Sequence, residues 1–593
     1  MAFIGETSLT YEEVHNKAAA LAAALQKEGL RPGDPVAVAT ANRSGFYTSF
    51  AGCFAAGFPV VVIDPAAGYR ELWLMLGKAA PAALIADEEV LEGFADDPDN
   101  RLPRVVLRVA APSAKTRLLR WPLRSRKRAF SARPSLDDIF TSGARPVAEE
   151  LKPESPAYIM FTSGTTSNPK AVVVSRSALQ HHVDTLSSVF GYGQNARLLT
   201  YLPLHHTDGL IHGVAASLLK GMTVIHPGPF SATTDIEKTL REKSISHFLG
   251  VPTILSIILR THGDRAGLFQ YEEFRSVIST AGHLDEKLWK DFQENFGVRI
   301  SNFYGMTETV SGSLYCGPAD GLFRFGTVGK PADTDVRIVD QDGAQVAPEI
   351  VGELQISGRH LMTGYLDDDE ATQAAIVDGW LSTGDLFSQD ADGFFRIVGR
   401  KKNIIKRGGI TIYPEDIQRM LLDMPGILEV EVVGLPDDIF EEIIVVCAVT
   451  EAGISPADVH QFCRQQLAAE RYPDRVELMD QLPKGPSGKA RRKELIAILK
   501  KSADSKTRPE TSLRNRVISV AAETFSADST ELDEASSPDT VDGWDSFAGM
   551  EFVIALEKEF GMRLSPRDIM RMRNLGQALE IVSDEMNNDA KMS

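Results

Sequence analysis

Apolar runs and helix-period stretches take turns from residue 8 to about residue 398, and this alternation restricts the possible folds of the chain more than any other feature. Tyr11 to Gly29 is rich in Ala and Leu at helical spacing, whereas Pro35-Val36-Ala37-Val38-Ala39 and Pro59-Val60-Val61-Val62-Ile63-Asp64 are continuous apolar runs of strand length. Further strand candidates are Ala157 to Met160, Ala171 to Val174, Met222 to His226, Ser276 to Ala281 and the stretch around Val298 to Ile300. A strand covered by helices on both faces needs no polar side, so the pattern predicts a layered α/β body with parallel strands. The 593 residues exceed what one hydrophobic core supports, which predicts two to four domains.

Composition narrows the function classes. An apolar fraction of 43% with 24% charged residues suits a soluble enzyme, and no window approaches eighteen uninterrupted apolar residues. Met1-Ala2-Phe3-Ile4-Gly5-Glu6 lacks the basic start and apolar run of a secretion signal, so a cytoplasmic protein with no membrane span is expected. The formal charge of −18 argues against a nucleic-acid partner, whose phosphates demand a basic face. The cysteines at 53, 316, 447 and 463 have no metal-type spacing and are expected to be reduced. One basic segment, Lys115 to Arg133, is a solvated insertion loop or a dock for an acidic partner or membrane surface.

The chemistry begins at Phe161-Thr162-Ser163-Gly164-Thr165-Thr166-Ser167-Asn168-Pro169-Lys170, directly after a strand candidate. Glycine lets the backbone approach an anion, hydroxyls and turn N–H groups donate to phosphate oxygens, and a lysine adds a point charge. The stretch is therefore expected to cradle the polyphosphate of ATP. It is not a Walker A loop, because Pro169 replaces the second glycine and Ala171 the hydroxyl residue that would ligate magnesium.

This segment resembles the signature of the adenylate-forming superfamily of acyl- and aryl-CoA synthetases, luciferase-like enzymes and nonribosomal-peptide adenylation domains, with Ser167 and Ala171 where glycine is usual. Further motifs follow in the family's order, as far as Lys489. The resemblance implies an adenylation body at 1–399, comprising two α/β subdomains and a small β-barrel, and a small α+β lid at 400–500. It also implies site residues. In Asn302-Phe303-Tyr304-Gly305-Met306-Thr307-Glu308, Asn302 would bond the adenine edge, Tyr304 stack on the base, Thr307 meet the α-phosphate and Glu308 hold Mg2+. Asp385, in Ser382-Thr383-Gly384-Asp385, and Arg400 occupy ribose-binding positions, and Lys402 stands at the hinge. Lys489, in Leu482-Pro483-Lys484-Gly485-Pro486-Ser487-Gly488-Lys489, would bridge the substrate carboxylate and the α-phosphate. His206 and Gly282 would line the acid pocket, together with Gly250 to Thr253 and the residues flanking Gly282, while His205 is left undecided.

The polar tract Lys500 to Glu510 is expected to be a flexible linker, giving a boundary segment at 501–511. Beyond it, Leu513 to Phe525 and Ser546 to Phe560 have amphipathic helical spacing. Gly543-Trp544-Asp545-Ser546-Phe547 resembles the attachment site of acyl and peptidyl carrier proteins. That resemblance implies an all-α four-helix carrier domain at 512–593 with 4′-phosphopantetheine on Ser546, a phosphopantetheinyl transferase as partner, and a downstream assembly-line enzyme. The expected activity is ATP-dependent activation of a small-molecule carboxylic acid and its transfer to the chain's own carrier. The alternative is an acyl-CoA synthetase whose last module is degenerate or a docking domain.

Overall fold

The computed structural model describes the chain except residue 6 and residues 95–101, 110–132, 163–169, 231–234, 264, 408–409, 438–440, 468–470, 485–489, 505–512, 526, 528–531, 539, 542–543, 545 and 593, and it leaves aside some further side chains after residue 500. The basic residues from Lys115 to Arg128 therefore lie outside the described residues. Two compact units result, Met1–Lys402 and Asn403–Ser593.

The first unit carries two sheets whose centres are parallel, as the uninterrupted apolar runs predict. In the first, Val105–Val109, Ala83–Asp87, Val36–Ala39, Val60–Val62 and Pro156–Phe161 lie side by side in parallel, and Ala171–Ser175 and Gly364–Tyr365 continue it antiparallel. Val36–Ala39 and Val60–Val62 are buried along their whole length, which accounts for the missing polar alternation. In the second, Thr223–Ile225, Arg197–Thr200, His247–Gly250, Ser276–Ser279 and Ile300–Gly305 run parallel. Gly312–Cys316 and Lys330–Pro331 then extend that sheet antiparallel.

Helices cover both sheets, and their ends are set by local chemistry. Tyr11–Lys27 starts at a reciprocal capping box, Thr10 with Glu13, and Arg43–Ala56 ends at Gly57, which takes the left-handed conformation at φ 79°. One continuous core includes Phe3, Phe46, Tyr158, Leu198 and Phe303, so the two expected α/β subdomains share apolar packing. The expected β-barrel is a five-stranded antiparallel sheet of Asp335–Val339, Gly352–Ser357, Ile376–Val377, Trp380–Gln389 and Phe395–Arg400. Among the described residues its strand pairings do not close a ring: Asp335–Val339 pairs with Gly352–Ser357 and otherwise makes only an isolated bridge, Val339 with Gln345.

In the second unit, Ile405–Arg407, Ile410–Ile412, Ile427–Asp437, Glu441–Thr450 and Arg475–Leu478 form a sheet packed by Pro414–Leu422 and Pro456–Gln466. The helix Arg492–Asp504 runs into the tract expected to be a linker. Leu495 and Leu499 anchor it from the buried side, so Lys500 to Asp504 continue an established helix instead of unwinding. Among the described residues four helices follow, Leu513–Phe525, Ser546–Phe560, Pro566–Arg571 and Leu575–Met592. They have their own core, in which Phe525 stacks on Trp544 with ring centroids 4.3 Å apart. No described helix is long and apolar enough to cross a membrane, and all four cysteines are buried as free thiols.

Candidate active site

Both nucleotide motifs sit where a central parallel strand turns back into an antiparallel neighbour, at the carboxyl ends that α/β sheets use for ligands. Strands Pro156–Phe161 and Ala171–Ser175 form a hairpin with Phe161 opposite Ala171, and the N–H of Thr162 donates to the carbonyl of Lys170 at 2.9 Å. Thr162 and Lys170 thus form the neck of the expected phosphate loop. Ser163, Gly164, Thr165 and Thr166 lie outside the described residues, as does Lys489.

The second motif differs from its expected setting. The strand does not stop near Ile300 but continues through Gly305, so Asn302, Phe303 and Tyr304 are strand residues. Aromatic side chains favour this pleated, half-covered surface. A short 3-10 turn, Thr307–Thr309, then carries Thr307 and Glu308. Glu308 is 8% exposed, and its Oε1 accepts a hydrogen bond from the Tyr365 hydroxyl at 2.9 Å. Among the described residues it has no cationic partner. A nearly buried, uncompensated carboxylate beside the phosphate-loop neck suits a divalent cation, which usually takes one or two carboxylates along with phosphate oxygens.

Asp385 is 6% exposed and ties two expected nucleotide ligands together. Its Oδ2 accepts from the Tyr304 hydroxyl at 2.7 Å, and its Oδ1 lies 2.9 Å from Arg400 Nε. The pairing follows from register, since Asp385 stands opposite Arg400 on neighbouring strands. Burial first, then the Asp385 charge, raise the Tyr304 phenol well above its ordinary value, so it remains a donor. The Tyr304 ring meets Phe387 edge-on at 4.9 Å. Asn302 is 7% exposed and donates to the Thr327 carbonyl at 3.3 Å. Asp385→Asn keeps the shape and removes the charge. It is expected to raise the KM for ATP about tenfold to a hundredfold, the worth of one charged hydrogen bond, in pyrophosphate exchange measured across ATP concentrations.

The pocket residues converge on one short segment. Thr207 Oγ1 lies 3.0 Å from Thr307 Oγ1 and 3.2 Å from Met160 Sδ, so this segment touches the Glu308 motif and the strand that leads into the expected phosphate loop. Asp208 accepts from the hydroxyls of Thr280 and Ser311, at 2.6 and 2.7 Å. His206 packs its ring 4.8 Å from His205, and His205 Nε2 is 3.3 Å from Asp64. Burial pulls His205 down to about 4 against the opposing pull of Asp64, so it is neutral at pH 7. A Cβ on Gly282 would lie 3.2 Å from Pro252 Cδ, which brings the two expected wall segments into contact. Lys402, the expected hinge, ends the first unit.

Sequence reasoning missed Tyr365 and the Asp64–His205 pair. Each depends on contacts between segments more than fifty residues apart, and neither has a local spacing signal. Ser546 begins its helix, and its side chain is outside the described set.

Comparison with known proteins gives the family. The AMP-binding enzyme model matches residues 1–366, and the AMP-binding enzyme C-terminal domain model matches 416–489. Neither extends past Lys489, and no carrier family is matched to the helical module. The oxalate–CoA ligase of Arabidopsis thaliana is 30% identical over 509 residues, covering 82% of this chain and 93% of that protein. The sulfoacetate–CoA ligase of Cupriavidus necator is 35% identical over 351 residues, 58% of this chain and 67% of its own length. Among solved structures, ATP-bound MatB from Rhodopseudomonas palustris superposes with a TM-score of 0.75 at 25% identity, covering 84% of this chain and 95% of that one.

Proposed function

The chain belongs to the AMP-binding enzyme family and is an adenylate-forming ligase, and from that premise we propose that it joins a carboxylic acid to coenzyme A at the expense of ATP. The observation that carries the reading is the convergence of the phosphate-loop neck, the Glu308 turn and the His206–Thr207 segment on one place. The names of the relatives favour coenzyme A as acceptor over a tethered carrier.

In the first half-reaction a carboxylate oxygen attacks the α-phosphorus, the bond to the β-bridging oxygen breaks, and pyrophosphate leaves. Thr162, Ser163, Gly164, Thr165, Thr166 and Lys170 receive the leaving phosphates. Asn302 and Tyr304 hold the base, and Asp385 with Arg400 holds the ribose. Thr307 meets the α-phosphate, Glu308 would hold Mg2+, and Lys489 lowers the repulsion between the two approaching anions. When bound, the metal screens phosphate charge. His206 and Gly282 line the acid's pocket. In the second half-reaction the thiol sulfur attacks the acyl carbon, the bond to AMP breaks, and the thiol proton is released. Lys402 is the pivot between the two conformations.

The acid is a non-amino carboxylic acid, small and aliphatic or aromatic. Asp208, the carboxylate of the pocket segment that would otherwise receive an amine, already accepts two hydroxyls.

One observation favours a second reading. The final module is a four-helix unit with its own core, and Ser546 stands at the first turn of one of its helices, which is also where a serine caps a helix without further function. In that reading Ser546 carries phosphopantetheine and receives the acyl group, at the high effective concentration a tether supplies. Incubation of the purified protein with its acid, MgATP and free coenzyme A separates the two. Acyl-CoA release at a rate unchanged by Ser546→Ala, with no acyl mass gained by the protein, is expected. Acyl transfer that needs Ser546 and a prior phosphopantetheinyl transferase step would replace the coenzyme A reading with the carrier reading.

A further inference from the structure

We infer that Tyr365 is a positioning residue that joins the metal-holding carboxylate to the phosphate-loop lysine, an inference that rests on the reading of Glu308 as the Mg2+ residue. Its hydroxyl donates to Glu308 Oε1 at 2.9 Å, and the Lys170 ammonium lies 4.3 Å from the centre of its ring. One side chain therefore contacts the two groups that must meet the same polyphosphate from different segments of the fold.

The backbone around Tyr365 is fixed to both of those segments. Gly364–Tyr365 pairs antiparallel with the strand that leaves the phosphate loop, Tyr365 opposite Val172. On either side, the N–H of Leu366 donates to the Ala171 carbonyl and that of Thr363 to the Val173 carbonyl, both at 2.8 Å. The N–H of Met362 donates to the carbonyl of Glu308, also at 2.8 Å, and the N–H of Tyr365 donates to Thr372 Oγ1 at 2.9 Å. A five-residue stretch thus stitches the Glu308 turn to the phosphate-loop hairpin, and Tyr365 repeats that link through its side chain.

A phenol has a single proton to give. Given to Oε1, it fixes the carboxylate's orientation and leaves the other oxygen to a cation. The ring face, electron-rich and only 8% exposed, holds the lysine ammonium from the other side.

The test compares Tyr365→Phe, which keeps the ring, with Tyr365→Leu, which removes ring and hydroxyl, and with Glu308→Gln. ATP binding is followed by calorimetry with and without Mg2+, and Mn2+ binding in the presence of ATP by electron paramagnetic resonance. Tyr365→Phe is expected to bind metal-free ATP within twofold of the parent and to lose about tenfold of the affinity gained on adding Mg2+. Tyr365→Leu should show the same metal loss and also weaken metal-free ATP binding about threefold, through Lys170. A Tyr365→Phe protein with the full metal-dependent gain, beside a Glu308→Gln protein that has lost it, overturns this inference and leaves the Glu308 reading standing. A Glu308→Gln protein that keeps the gain overturns both. Thermal melting of each variant separates loss of the site from loss of the fold, and Tyr365→Leu carries the test where Tyr365→Phe is poorly folded.

Discussion

Replacing Gly305 with alanine is expected to lower acid-dependent exchange of labelled pyrophosphate into ATP at least about a hundredfold while most of the body stays folded. A Cβ at this position would lie 1.5 Å from the Ser311 carbonyl oxygen and 2.7 Å from Gly312 Cα. Both are backbone atoms, and neither can step aside by a change of rotamer. The same carbonyl accepts the N–H of Met306 at 3.1 Å, closing the turn that carries Thr307 and Glu308. That turn is already tight, since Val310 has φ 64°, a conformation costly for a β-branched residue. Relief requires the hairpin to open by more than 1 Å, and a misplacement of that size at reacting groups costs about two orders of magnitude in rate. Gly77→Ala serves as the control. Gly77 lies inside the helix Tyr69–Ala79 with nothing within 4 Å of the added carbon, so this change should leave exchange intact. Exchange in Gly305→Ala within threefold of the parent would refute the argument.

The glycine also illustrates what the sequence discloses. Its place in Asn302-Phe303-Tyr304-Gly305-Met306-Thr307-Glu308 marked it as part of a nucleotide motif, but the reason for glycine is a carbonyl six residues away across a hairpin. Buried parallel strands such as Val36–Ala39 were legible because burial on both faces writes a continuous apolar run. The helical start of the expected linker was not, because Lys500 to Asp504 are held by leucines that precede them. The same holds within the site. Thr162, Lys170, Glu308, Asp385 and Arg400 belong to local motifs, whereas Tyr365 and Asp64 act through partners fifty-seven and 141 positions away, where no periodicity reaches. Local pattern specifies which segments become strands and turns, and the register between segments decides which side chains meet.

Buried histidines set the second large effect, a steep loss of stability below pH 6. His182, His212, His226 and His360 are each at most 3% exposed in the first unit. Burial lowers all four, His182 well below its ordinary value and His212, His226 and His360 to about 4. His182 stacks on His360 with centroids 5.8 Å apart, so a proton on either opposes one on the other. Asp208 partly offsets the lowering at His212 and Asp333 that at His360, whereas Arg43 and His205 add to it at His226. In the unfolded chain a histidine takes its proton near pH 6.5. Between that value and about 4 the unfolded state therefore binds more protons than the folded one, and stability falls as pH falls. Each such histidine costs about 1.4 kcal/mol per pH unit across this window, and four together approach the whole stability of an ordinary domain within two units. The melting temperature should be nearly flat above pH 7 and drop sharply between pH 6 and pH 4.5, ahead of the range where carboxylates titrate. His360→Gln, whose amide reaches the place of Nε2, keeps a polar partner for Ser313, whose Oγ lies 2.9 Å from His360 Nε2, while removing one titrating group and the repulsion on His182. Because burial lowers His205 and His247 as well, its stability should fall with pH less steeply than the parent's by one histidine's share, about 1.4 kcal/mol per pH unit, measured by urea unfolding at half-unit pH steps. An unchanged slope would move the acid transition from these imidazoles to the carboxylates.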